Sequence, residues 1–342
     1  MVNRQTNITI EDVAAAAEVS VATVSRALRG LPNVAEATRE RVQRAAAQLE
    51  YRPDPNASRL ATGRSGAVAV AVPVLNGWYF SQVVAGAEAV VKEAGHDLLV
   101  YGVGDEAGRA RFLSGGTPLR SRVDGLVLVD LRVSADEAEA LAASGVVAAT
   151  VGFETPPFPS LVLDDRSVAA TAVGYLAELG HRRIGLISGI PDDRQRFLVP
   201  ERRRTGYFDA LAAAGLEADP DLEQAGDFSI AGGALAMRAL LKIENPPTAV
   251  FAMSDEMAFG AIQTAQSSGL SVPEDVSVVG VDDHDLAPAM RLTTVHQPVV
   301  ENGAVAARLL LNQLSDRHLK PVRAAVDYEL VVRASAAPPK SP

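Results

Sequence analysis

From Gly66 onward the sequence alternates nearly continuous apolar runs with amphipathic stretches, and that alternation leaves few folds open. The runs are Ala67 to Val74, Asp97 to Val103, Gly125 to Val129, Val146 to Val151, Ile184 to Ser188, Ala249 to Met253 and Val276 to Val281. A strand that is apolar at every position must be covered on both faces, as parallel strands in α/β domains are. Helical spacing fills Val83 to Ala94, Ala135 to Ala143, Val168 to Leu179, Arg203 to Ala214 and Met257 to Ser268. The pattern therefore predicts a doubly wound parallel α/β body. Roughly 270 residues is long for one sheet, so two lobes with a cleft between them are expected. Ligands in open α/β sheets bind outside the carboxyl ends of the strands. Just past the first run lies Asn76-Gly77-Trp78-Tyr79-Phe80, the densest aromatic cluster in a chain that is 5% aromatic, and aromatic faces suit the C–H faces of a sugar ring.

The first fifty residues follow a different rule. Thr9 can cap a helix beginning at Ile10, and Val13, Ala14 and Ala17 recur on one face. Ser20 can cap a second helix carrying Val24, Ala27 and Leu28 inward. Small alanines let two helices cross closely, and the pair reads as a helix-turn-helix. After the break at Leu31-Pro32-Asn33, a third helix from Glu36 to about Leu49 turns Val42, Ala45, Ala46 and Leu49 inward and Arg39, Arg41 and Arg44 outward. Three helices then share one small core.

Charge divides along the same boundary. Nine arginines against seven acids give residues 1–64 a charge of +2, so the rest of a chain of net charge −10 carries −12. A basic head on an acidic body suits a head that faces phosphates. Between them, Tyr51 to Ser65 reads as a linker holding one conditional helix, which Asp54 can cap and Pro55 can open. About eight helical residues are too few to be stable alone in water, so it should order only on a partner.

The runs I-x-D-V-A, V-S-V-A-T-V-S-R-A-L, T-R-E-R-V, L-E-Y-R-P and A-S-R-L, in this order and spacing, resemble the DNA-binding head of the LacI/GalR family of bacterial transcription regulators. The resemblance implies that the second helix enters the major groove. Ser20, Val21, Ala22, Thr23, Ser25 and Arg26 become the DNA-contacting positions, with Thr23 on phosphate. Arg26 is the best base reader, because a guanidinium bonds a guanine edge bidentately. In the linker the resemblance makes Leu60 a minor-groove wedge and sets Arg59 near phosphates. Two positions depart from the pattern: Glu18 stands where the family usually has glycine, and Asp54 where it has asparagine. If the turn at Glu18 is left-handed, glutamate costs on the order of 1 kcal/mol there.

For the body, the resemblance implies a likeness to periplasmic sugar-binding proteins, with two lobes joined by three crossings and a small ligand between them. It points to Tyr79 and Phe80 as ligand-facing walls and is less decided on Trp78. Arg203, in ERRRTGYFDAL, matches a family arginine, and its fork of donors suits hydroxyls or a carboxylate. Asp282, in VVGVDDHDLA, matches a ligand-binding aspartate at a strand end. Ser254 replaces the usual asparagine in MSDEMAFGA and makes a weaker polar contact. Asp164 and Asp165 also follow a strand end, where they either cap the next helix, the favoured role, or touch ligand.

Enzymatic signatures are weak. Gly102-x-Gly104-x-x-x-Gly108 is one residue too long for a dinucleotide loop, and Gly185-Leu-Ile-Ser188-Gly189 fails the nucleophile-elbow spacing. The five histidines are scattered, with His181 reading as a polar turn, and cysteine is absent. No metal or other cofactor is expected. Lacking a leader or a membrane-length apolar run, the chain is expected in the cytoplasm, nucleoid-associated when on DNA. The domains expected are a head over 1–52, a hinge over 53–65, a two-lobed effector-binding and dimerisation body over 66–335, and a disordered tail over 336–342. The expected function is a dimeric, ligand-responsive repressor of carbohydrate-use genes, with palindromic double-stranded operator DNA and a small molecule, a sugar, as partners. The alternative is a cytoplasmic sugar-processing α/β enzyme with an N-terminal helical appendage.

Overall fold

The computed structural model describes residues 8–51, 65–114, 119, 122–189 and 198–340. Its contacts divide the chain into Met1–Ser65 and Gly66–Pro342.

The first unit holds helices α1 (Ile10–Ala16), α2 (Val21–Leu28) and α3 (Glu36–Gln48). Thr9 and Asp12 form a reciprocal capping box on α1, and the Ser20 hydroxyl accepts the Thr23 N–H at 3.2 Å to cap α2. Val13, Ala14, Ala17, Val24, Ala27, Val42, Ala45 and Ala46 close the core, as the periodicity predicts. Glu18 sits at φ 52, in the left-handed region, so the turn does use the backbone conformation that favours glycine. Two arginines expected to face solvent have structural partners instead. Arg39 donates to the Ala27 and Leu31 carbonyls at 3.1 and 3.0 Å, and Arg41 Nε donates to the Ala17 carbonyl at 2.9 Å. Carbonyls at helix ends lack intrahelical donors, and guanidinium groups supply them.

The described residues of the second unit form two six-stranded sheets. The first has the order β11-β5-β4-β3-β1-β2, built from β1 (Ala67–Val72), β2 (Asp97–Gly102), β3 (Gly125–Val129), β4 (Val147–Val151), β5 (Ser160–Val162) and β11 (Arg323–Ala325). The second has the order β12-β10-β9-β8-β6-β7, from β6 (Ile184–Ser188), β7 (Glu223–Ala225), β8 (Ala249–Ala252), β9 (Ser277–Asp282), β10 (Thr293–His296) and β12 (Glu329–Val331). Among the described residues all pairings are parallel except that of β10 with β12. The helices are α4 (Trp78–Glu93), α5 (Glu106–Leu113), α6 (Ala135–Ala143), α7 (Asp165–Glu178), α8 (Leu198–Ala213), α9 (Ile230–Leu240), α10 (Asp255–Ser267) and α11 (Val299–Ser315). Among the described residues no helix is long and apolar enough to cross a membrane.

β1 shows how the first lobe is layered. Its alternating AVAVAV turns Ala67, Ala69 and Ala71 to the face covered by Phe112 and Leu141, and Val68, Val70 and Val72 to the face covered by α4 and α11. Each fully buried valine contributes roughly 1.5 to 3 kcal/mol. α4 and α11 cross so closely that a Cβ on Gly86 would lie 1.8 Å from the Val300 carbonyl oxygen, and one on Gly303 would lie 1.9 Å from that of Val83. These glycines are fixed by backbone proximity.

The chain passes between the lobes at Leu163–Asp164, at Gln297–Pro298 and at Val326–Tyr328. The C-terminal segment expected to be disordered from residue 336 is instead held as far as Lys340. Ala336 is buried, the Ala337 N–H donates to Ser277 Oγ at 3.0 Å, and Lys340 pairs with Asp275. His181 is the anchor: buried, it bonds Thr248, Ser277 and the Ala337 carbonyl, and burial lowers its pKa.

Candidate functional site

In the first unit, α2 places Val21, Ala22 and Arg26 on an exposed face, with Thr23 and Ser25 half-buried beside them. Val21 is exposed, as is Ile8 among the described large apolar side chains of this unit. Ser20 and Thr23 share a hydroxyl bond of 2.9 Å, so both have a local structural role at the cap. Arg59 and Leu60, with the expected hinge helix, lie outside the described residues.

In the second unit a cavity of about 430 Å³ opens where the carboxyl ends of strands from both sheets meet. Its lining includes all five positions singled out in the body: Tyr79 and Phe80 from the first lobe, and Arg203, Ser254 and Asp282 from the second. Tyr79 and Phe80 open α4 and meet edge to face, with ring centroids 5.3 Å apart. Trp78 does not line the cavity. Its indole N–H donates to Asp285 at 3.2 Å and its ring stacks on His284 at 4.5 Å, bridging the lobes beside the cleft.

Arg203 reaches the cavity from α8, only 4% exposed. Its Nε donates to Asp165 Oδ1 at 2.8 Å, and a second nitrogen donates to the Met253 carbonyl. The expected roles of the adjacent acids therefore separate. Asp164 caps α7, accepting the Ser167 N–H at 3.1 Å, while Asp165 is buried as the partner of Arg203. Burial raises the Asp165 pKa, opposed by the Arg203 charge. Ser254 caps α10, its hydroxyl accepting the Met257 N–H at 3.3 Å. Asp282 ends β9 at φ 118 and accepts Gln297 Nε2 at 2.7 Å. Burial pushes its pKa up to about 7. Its neighbour Asp283 points elsewhere, to Arg333 and His296.

The sequence did not single out several polar lining residues, among them Asp130, Asp227, Glu256 and Gln297. Asp130 follows β3 at φ 49, faces the cavity beside Tyr79, and is raised to about 7 by burial and the Asp165 charge. The rule that sites form at strand carboxyl ends could have found it. It also needs Gly152, where a Cβ would fall 1.8 Å from Asp130 Oδ1. Gln297 lies in the Val295-His296-Gln297-Pro298 stretch that resembles the family, but its place in the site rests on Asp282, 15 residues away. Asp165 and Gln297 flank the first two interlobe crossings, so the cavity is tied to the segments on which the lobes pivot.

A helical head joined to a two-lobed α/β body with a ligand-sized interlobe cavity defines a ligand-responsive DNA-binding protein. Residues 9–54 match the model described as bacterial regulatory proteins, lacI family, and residues 173–336 the periplasmic binding protein-like domain. The chain is 37% identical to the HTH-type transcriptional repressor CytR of Escherichia coli (strain K12), over 97% of each chain. Among solved structures it resembles the lac repressor dimer bound to operator and the anti-inducer ONPF, with 28% identity, a TM-score of 0.83, and 97% of this chain and 100% of that one covered. It likewise resembles the transcriptional regulator CelR–cellobiose complex, with 34% identity, a TM-score of 0.70, and coverage of 96% and 99%. The chain belongs to the LacI family of bacterial transcriptional regulators. It is a regulator, and the alternative of a sugar-processing enzyme is set aside.

Proposed function

We propose that the chain acts as a homodimer that represses carbohydrate-use genes from an imperfectly palindromic operator, its affinity set by a small sugar in the interlobe cavity. The observation that carries this reading is the joint construction of the cavity: both lobes supply walls, and two crossings supply Asp165 and Gln297. A ligand touching Asp282 and Tyr79 bears on both lobes at once and favours one interlobe angle. An allosteric coupling of about 1 to 3 kcal/mol corresponds to roughly 5 to 150-fold in operator affinity. Ser20, Val21, Ala22, Thr23, Ser25 and Arg26 contact the major groove, two heads reading half-sites about one DNA turn apart. Arg59 and Leu60 act in the minor groove. Tyr79, Phe80, Arg203, Ser254 and Asp282 form the effector site, with Asp130, Asp165 and Gln297 added to it. The protein works in the cytoplasm, on the nucleoid when bound. Relatives support the assignment: CytR is a repressor, CelR was solved with cellobiose, and the lac repressor was solved as a dimer on operator. The test is paired titration of operator DNA and ligand with Leu60→Ala. Operator affinity should fall severely at unchanged ligand affinity, and unchanged operator affinity would remove the hinge from the scheme.

A further inference from the structure

Among the described residues, the cavity is lined by the carboxylates of Asp130, Asp165, Asp227, Glu256 and Asp282 and by a single cationic side chain, that of Arg203. Several donors that could greet an anion are already engaged. The guanidinium holds Asp165 and the Met253 carbonyl. The Gln297 amide donates to Asp282, and Tyr79 bonds Asp130. Carboxylate lone pairs dominate the remaining polar lining, so a ligand satisfies it by donating hydrogen bonds.

Helices α4, α9 and α10 begin at Gly77, Ser229 and Ser254 on the cavity wall, and helix N-termini attract anions. Each already has a partner. The Ser229 hydroxyl accepts the Gly232 N–H at 3.0 Å and Ser254 that of Met257, while Glu256 accepts the backbone N–H of Trp78.

Resting on the reading of this cavity as the effector site, we infer that the effector is an uncharged or cationic, donor-rich molecule and that the cavity rejects phosphorylated or acidic forms of that molecule. A buried anion there would face several carboxylates, and the one cationic side chain among the described lining residues is already held by Asp165. The carboxylates already crowd one another: the Asp165 charge helps raise both Asp130 and Asp282. A ligand amine would relieve that crowding.

Isothermal titration of the full chain with matched sets tests the inference: glucose, glucosamine, glucuronate and glucose 6-phosphate; ribose and ribose 5-phosphate; adenosine and its 5′-monophosphate. For any parent that binds, the anionic form should bind at least about tenfold more weakly, a 1.4 kcal/mol difference, and an amine-bearing form at least as tightly. Glu256→Gln with Asp227→Asn should narrow the gap. An acid or phosphate ester binding as well as its parent overturns the inference, as does a panel in which no uncharged or cationic member binds. A parent whose affinity is unchanged by Phe80→Ala binds elsewhere, and that result overturns the cavity reading itself.

Discussion

Replacing Arg203 with methionine isolates the interaction at the centre of the cavity. The guanidinium is 4% exposed and Asp165 1% exposed, with 2.8 Å between Nε and Oδ1. Methionine fills much of the same volume but leaves a buried carboxylate and the Met253 carbonyl without their donor. Removing one partner of a buried pair costs about 3 to 5 kcal/mol, because an uncompensated charge remains. For a unit of this size that is a fall of roughly 6 to 20 °C in melting temperature. Burial raises Asp165 and Arg203 opposes the rise, so the isolated carboxyl should take up a proton. The loss should therefore be smaller at pH 5 than at pH 8. Scanning calorimetry of the full chain, with Asp165→Asn and the double variant completing a mutant cycle, measures it. The double variant should recover part of the loss, with a coupling of about 0.5 to 3 kcal/mol. A loss under about 1 kcal/mol at pH 8 with no coupling would refute the reasoning, since that is the size of an exposed ion pair.

Asp130 gives a prediction of opposite sign. Its carboxyl rises from 3.8 to about 7, facing Tyr79, Asp165, Asp282 and Arg203, so the folded state holds its proton more tightly than the unfolded chain. The resulting stability is present below about pH 4 and lost as pH rises through about 7, on the order of 4 kcal/mol. Asp130→Asn should melt above the native protein at pH 8 and by a smaller margin at pH 5, and a gap independent of pH would rule this out. Glu18→Gly should stabilise the head by up to about 1 kcal/mol, since glycine takes φ 52 without a Cβ clash; chemical denaturation reads this, and destabilisation would argue against strain at that turn. The single tryptophan, Trp78, bridges the lobes through His284 and Asp285, so ligands that change the lobe angle should change its emission. Emission unmoved by a ligand that alters operator affinity would detach Trp78 from the switch.

The parallel core was legible because it is apolar throughout: the runs around β1, β3, β4, β6, β8 and β9 are buried along their length. The short strands β5, β7, β11 and β12 were not, being three residues each and held by neighbours rather than by a pattern of their own. In the site, Asp282 and Arg203 stood out because their surroundings in sequence repeat a family motif. Asp165 and Gln297 act through partners 38 and 15 residues away, a relation that only folding creates. The C-terminal segment misled for the same reason. Its prolines and alanines look unstructured, while its order comes from His181, 156 residues before Ala337.

A ligand in the cavity should control sequence-specific DNA binding. Selection of genomic fragments by the full chain, with and without the sugar that titration identifies, tests it most directly. An imperfect palindrome whose half-sites lie about one helical turn apart should be enriched, and its affinity should shift by about 5 to 150-fold when the sugar is present. Enrichment of no sequence, or of a palindrome whose affinity ignores the bound sugar, would contradict it.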